Sequence, residues 1–260
     1  VTVAAGTYVE NIVFTTNHNN NSIKVFGQGP ETTTIDGDSA RHVVYIPSST
    51  DPQVHLNGFT IKNGIAWPEI AGSDANNMGG GIRSEGGANV FENLIIENNE
   101  SSYAGGGPLI GGGFYSDNCS DVIRNVIFRN NIGGAISSKS ITIENSLFID
   151  HQKDWNGGEP LIALGGGDDC FSLLRNVTIT NNENRIIRLT DTSDLLVLNS
   201  VIYGNGPYPV ESYQYNVFNV STSEIEGSRL IVANSLIEYG LGSIDSSGTN
   251  QELIETIWLN

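Results

Sequence analysis

The chain has 260 residues, with 12 Lys and Arg against 29 Asp and Glu and a formal net charge of −17 at pH 7. A chain this long can bury a full core, and 16% charged residues is too few for a disordered polyelectrolyte. The acid excess argues against nucleic acid as a partner, and no apolar run approaches the roughly 20 residues of a membrane-spanning helix.

In chain order, the first elements are the short apolar stretches GTYVE (Gly6–Glu10) and SIKVF (Ser22–Phe26), set among polar turns. From Asn57 a motif begins to recur: a short apolar strand opened by Asn. The first copy is NGFTIKNG, and the later ones open at Asn93, Asn125, Asn145, Asn176, Asn199 and Asn234. The steps between opening Asn residues are 36, 32, 20, 31, 23 and 35, so a unit of about 20 residues recurs with insertions. A second element, Gly-rich and then apolar, precedes three copies: GGGI (Gly79–Ile82), GGGF (Gly111–Phe114) and GGAI (Gly133–Ile136). Its last residue stands 11, 11 and 9 positions before the next opening Asn.

These runs read as strands. Apolar residues alternate as Phe59/Ile61, Leu94/Ile96, Val126/Phe128 and Val177/Ile179, a period of two that sends one set inward. Gly, Asn, Asp and Ser fill the gaps, as turns require. The opening Asn fits a left-handed turn position, which Asn tolerates cheaply. Two strands at fixed offset in a unit of about 20 residues predict an all-β solenoid, with the Asn side chains stacked into a hydrogen-bonded ladder.

With these motifs the chain resembles the right-handed parallel β-helix proteins of the pectate-lyase-like superfold. The opening VTVAAGTYVENIVF is similar to the first coils of pectin methylesterases and of bacterial surface β-helices. GGAI at Gly133 and FRNN at Phe128 resemble the paired short motifs of polymorphic outer-membrane adhesins. The resemblance implies one β-helix domain over residues 1–260, of about eight to ten coils, as a piece of a longer secreted protein. Both ends are expected to expose strand edges unless neighbouring segments cover them.

Chemistry is expected on the strands after the Gly-rich elements. If Ile82, Phe114 and Ile136 point inward, so do Ser84, Ser116 and Ser138. Arg83/Glu85, Tyr115/Asp117 and Ser137/Lys139 then point outward on three successive coils. Glu85 and Asp117 would form a pair of oxygen donors for Ca²⁺, with Lys139 or Arg83 as the base that abstracts a proton from a uronic acid. Similar β-helix lyases use such an arrangement; the bland reading is a solvated charge ladder. Trp67, Tyr103 and Trp155 lie in inserted stretches before these strands, and with Tyr115 they suit stacking on sugar rings. GGGDDC (Gly165–Cys170) resembles the Asp-Asp element of polygalacturonase-type hydrolases, which implies acid and base roles for Asp168 and Asp169. The companion motifs of that family are missing, as are the catalytic motifs of pectin methylesterases.

Cys119 and Cys170 each stand six residues before an opening Asn, with the Asn145 coil between them. Two coils, about 9.6 Å, exceeds disulfide reach, so free thiols are expected. No His pair has the spacing of a zinc site.

The expectation is an extracellular, secreted or bacterial cell-surface module. Its first function is non-catalytic binding of glycans or partner proteins, of the adhesion type. The alternative is a carbohydrate-active enzyme on an acidic polysaccharide, either a Ca²⁺-assisted lyase or a glycoside hydrolase. The third role is a structural stalk or spacer. Ca²⁺ is the one cofactor considered, and no membrane insertion is expected within this segment.

Overall fold

A computed structural model describes residues 1–14, 22–48, 53–66, 78–101, 111–152, 160–165, 170–183, 185–190, 193–206, 218–220, 229–237, 244–246 and 254–257. Among these the protein is all β. One sheet runs through ten strands from Gly6–Val9 to Ile254–Ile257, with shorter strands pairing alongside. A second runs through nine strands, from Ile12–Val13 to Ile244–Ser246. Pairing is parallel and connects one pass of the chain to the next. Strand Ile82–Ser84 lies beside Phe114–Ser116, that strand beside Ile136–Ser138, and that one beside Pro160–Gly165. Parallel strands in stacked sheets, with no helix, are compatible with a parallel β-helix.

The alternation in the sequence determines which side is inside. Ile61, Ile96, Phe128, Phe148, Ile179 and Ile202 are successive register partners, and all are fully buried. Phe128 and Phe148 stack with ring centroids 4.8 Å apart. Burying each such side chain stabilises the fold by about 1.5–3 kcal/mol, and the column repeats that gain on every pass.

Asn residues turn the chain twice per pass. Asn93, Asn125, Asn145, Asn176, Asn199 and Asn234 have φ between 50° and 56°; in the first copy Gly58 takes this role at 82°. Their amides bond from pass to pass. Asn93 Nδ2 donates to Asn57 Oδ1 at 3.3 Å, Asn125 Nδ2 to Asn93 Oδ1 at 3.2 Å, and Asn176 Nδ2 to Asn145 Oδ1 at 2.9 Å. A second bend follows each strand, at Asn63, Asn98, Asn130, Asp150 and Asn181.

Directly after that second bend comes a buried polar column. Asn99, Asn131, His151 and Asn182 are at most 1% exposed. Gly64 N–H donates to Asn99 Oδ1, and both the N–H and the amide of Asn99 donate to Asn131 Oδ1. Asn131 Nδ2 lies 3.2 Å from His151 Nε2, His151 Nδ1 lies 2.9 Å from Asn182 Oδ1, and Asn182 Nδ2 donates to Asn205 Oδ1 at 2.9 Å. Each side chain satisfies backbone groups that the bend removes from the sheet ladder.

The Gly-rich elements lie where adjacent passes approach most closely. A Cβ at Gly112 would lie 2.0 Å from Ile132 O, and one at Gly64 would lie 2.0 Å from Gly80 O. Backbone contact there leaves no room for any side chain.

The expectation of free thiols is overturned. Cys119 and Cys170 form a disulfide, with Cα atoms 5.6 Å apart. Equal offsets from the opening Asn did not imply equal heights, because the corners differ in length. Only Lys139 and Ser140 link Ile136–Ser138 to Ile141–Glu144 on the middle pass, whereas four residues, 117–120, link the strands below it. Five, 166–170, link those above. The two-residue corner between them leaves the sulfurs room to meet across it.

Candidate functional site

The outward side of the nine-stranded sheet carries the candidate column. Strand register aligns Tyr45, Arg83, Tyr115 and Ser137 on four successive passes. The flanking Ser84, Ser116 and Ser138 are buried and are themselves aligned, so Glu85, Asp117 and Lys139 follow them at equivalent positions.

Arg83 organises one end. Its guanidinium carbon lies 5.9 Å from the Tyr45 ring centroid and 5.2 Å from that of Tyr115, within cation–π range. Arg83 Nε donates to Glu85 Oε1 at 2.8 Å and the adjacent NH₂ group closes on the same oxygen, while Tyr45 O–H donates to Glu85 Oε2 at 2.8 Å. Arg83 is only 3% exposed, so this pairing offsets its desolvation. At the other end Lys139 Nζ lies 2.8 Å from Asp117 Oδ1, with both side chains nearly half exposed. An exposed pair of this kind contributes at most about 1 kcal/mol. Burial pushes the Tyr115 phenol up to about 12, with the Asp117 charge acting in the same direction. Tyr115 therefore stays a neutral hydrogen-bond donor at any physiological pH.

A polar layer supports the column from inside. Asp121 is fully buried; it accepts from the Asn89 N–H at 2.8 Å and from Ser116 Oγ at 2.9 Å. Burial raises its pKa even against these donors. Asn89 Nδ2 donates to Ser84 Oγ at 2.9 Å, and Asn89 Oδ1 accepts from Val54 N–H at 2.8 Å. Sequence reasoning missed both residues, although each stands four positions before an opening Asn, Asn93 and Asn125.

Chemically, the column is neutralised from within. Glu85 is held by Arg83 and Tyr45, and Asp117 by Lys139, so each acid proposed for Ca²⁺ already has a cationic partner. Among the described residues, no group of three or more His, Cys, Asp or Glu is gathered for a metal ion. Arg188 continues the column, in register with Ala163, which pairs with Ser137. Its buried Nε has no hydrogen-bond partner among the described residues. Trp67, Tyr103, Trp155, Asp168 and Asp169 lie outside the described residues. In sequence comparisons, no protein-family model and no curated protein matches the chain.

Proposed function

We propose that the chain is a right-handed parallel β-helix of the pectate-lyase-like kind, with about eight to ten coils and an Asn ladder. We propose further that it serves as an extracellular or cell-surface module that binds glycans, or glycan-bearing surface partners, without turning them over. The ten-strand parallel path supports the coil number, and parallel crossovers are right-handed in nearly all proteins. The Cys119–Cys170 disulfide supports an oxidising, extracytoplasmic setting.

The observation that carries the binding reading is the Tyr45–Arg83–Tyr115 stack. Two aromatic rings two passes apart, fixed by the buried Arg83–Glu85 pair between them, form a pre-organised surface for the apolar faces of sugar rings. Arg188, partly exposed three passes beyond Tyr115 on the same column, adds a cation suited to a carboxylate. The lyase alternative assigns proton abstraction to Lys139 or Arg83 and Ca²⁺ to Glu85 and Asp117, but Lys139 is already paired with Asp117 and Arg83 with Glu85. The hydrolase alternative rests on Asp168 and Asp169, and a stalk needs no ligand.

A glycan array followed by titration tests the reading. Binding without product is expected, and Tyr115→Ala should weaken it at least tenfold, about 1.4 kcal/mol. Pectate, alginate and polygalacturonate are incubated in parallel with and without Ca²⁺. Unsaturated or reducing-end product, abolished by Lys139→Ala or Asp169→Asn, would replace this function with an enzymatic one. Absence of binding to any glycan or surface protein would leave the stalk.

A further inference from the structure

The larger sheet, whose main path runs through ten strands, carries on its outward side a charge pattern that is self-complementary when reversed. Register stacks Glu92, Arg124, Glu144 and Arg175 on four successive strands, so the column runs −, +, −, +. Arg124 Nε donates to Glu144 Oε2 at 2.8 Å and Arg175 closes on the other oxygen, with both Arg side chains nearly half exposed. The column continues below through Asn57 to Phe26, which is 36% exposed, and above through Leu198 to Ala233. Beside it, Val90, Val122, Thr142, Leu173, Leu196 and Ile231 form a second outward column, apolar apart from one Thr hydroxyl and partly exposed throughout, which runs on below through His55 to Lys24.

We propose that this face is the contact between two copies of the chain, related by a two-fold axis that lies in the face, along the strands, between Arg124 and Glu144. Such an axis keeps each column over itself and reverses its direction. Glu92 then meets the other copy's Arg175, Arg124 meets its Glu144, and bulky Phe26 meets small Ala233. The second column likewise lies over itself, with Val90 over Leu173 at its centre and with His55 and Lys24 over the other copy's Leu196 and Ile231 at its ends. A parallel arrangement would instead place like charges over like, so the sequence of charges selects the antiparallel dimer.

Net charge favours the same face. The chain is −17 overall, and two copies repel wherever their acidic surfaces meet. Here Lys24, Arg124 and Arg175 stand against Glu92 and Glu144, three cations minus two carboxylates, or +1. The contact is small. Seven strand spacings and a width of three residues give a strip of roughly 34 Å by 10 Å, or about 680 Å² over the two copies, below the roughly 1,000 Å² of a stable specific interface, so the dimer is a weak and transient one.

Sedimentation equilibrium of the full chain, from about 10 μM to 1 mM, tests this. A monomer–dimer equilibrium is expected, and Leu173→Lys should abolish it with an unchanged circular dichroism spectrum. Arg124→Glu should raise the dissociation constant at least tenfold. Combining it with Glu144→Arg gives −, −, +, +, which is still self-complementary on reversal but places like charges next to each other within one copy. The double variant should therefore recover dimerisation while its thermal midpoint falls. A monomer at every concentration, a dimer indifferent to Leu173→Lys, or a double variant that stays monomeric overturns the proposal.

Discussion

His151 makes the fold acid-sensitive in a way that can be isolated. It occupies a slot filled by Asn99, Asn131, Asn182 and Asn205 on other passes. Asn131 has no freedom to flip, since its Oδ1 accepts from two Asn99 donors and its Nδ2 donates to Ile96 O at 3.0 Å. That amide therefore presents N–H to His151 Nε2, and His151 must carry its proton on Nδ1, donating to Asn182. Protonation of Nε2 would set two donors against each other inside the core. Burial holds the imidazole down from 6.5 to about 4, even though Asn182 and the Asp150 charge favour the cation. The unfolded chain takes up a proton below about 6.5 and the folded chain only near 4. The contribution is thus complete above pH 6.5 and is lost as pH falls from there toward 4. At about 1.4 kcal/mol per pH unit, the full loss is about 3 kcal/mol, a large fraction of a typical folding free energy. Urea denaturation of the natural chain and of His151→Asn between pH 7.5 and 4 measures it. The variant completes the run of amides, and any volume mismatch adds only a pH-independent offset. The difference between the two curves should change by about 3 kcal/mol across the window, in the variant's favour at low pH. A flat difference, or an imidazole that titrates near 6.5 by NMR, would refute the reasoning.

Three further outcomes follow from the packing. Replacing Cys119 and Cys170 together by Ser should destabilise the fold by about 4 kcal/mol in the chain-entropy description, given their separation of 51 residues, with reducing agent producing the same shift in the natural chain. Glu144→Gln removes the acid between Arg124 and Arg175, whose hydrogen bonds and charges hold its carboxyl below the usual range. It should cost about 1–2 kcal/mol at neutral pH and little at low pH, where the natural carboxylate is itself protonated, as read by thermal denaturation. Gly64→Ala should destabilise by at least about 3 kcal/mol or prevent folding, because its methyl would meet Gly80 O at 2.0 Å; an unchanged denaturation midpoint would show that the passes can separate there.

Much of the strand framework was legible because each copy of the motif carries the same instruction. Leu94/Ile96 and Val126/Phe128 alternate, so they face one way in every pass, and register follows from stacking like on like. The opening Asn was legible for the same reason. The buried column was not, although the signal was present: Asn98-Asn99, Asn130-Asn131 and Asn181-Asn182 are doublets, and Asp150-His151 occupies the same slot. In each doublet the first residue bends the backbone and the second turns inward, two tasks that a single-residue reading merges. At the candidate site, the alignment of Glu85, Asp117 and Lys139 was read from their offsets. Tyr45 was not, because its strand lacks a Gly-rich marker, and so the partner that occupies the second oxygen of Glu85 went unseen. The sulfur pairing failed for a different reason. Sequence offsets measure position along a pass, whereas height depends on how far each corner bulges, and a two-residue corner at Lys139-Ser140 places no bulge in the way.

The bond between Cys119 and Cys170 also sets how the molecule gives way under tension. A stack of passes pulled from its ends peels one layer at a time, each released layer lengthening the tether. Between these two sulfurs peeling adds no length, since the linkage carries the force past 51 residues. At roughly 3.6 Å per extended residue, about 180 Å of contour length is withheld until a reductant cuts the bond. Loaded at both ends, a chain of this build would thus keep the passes between the two sulfurs out of the load path while its ends fray.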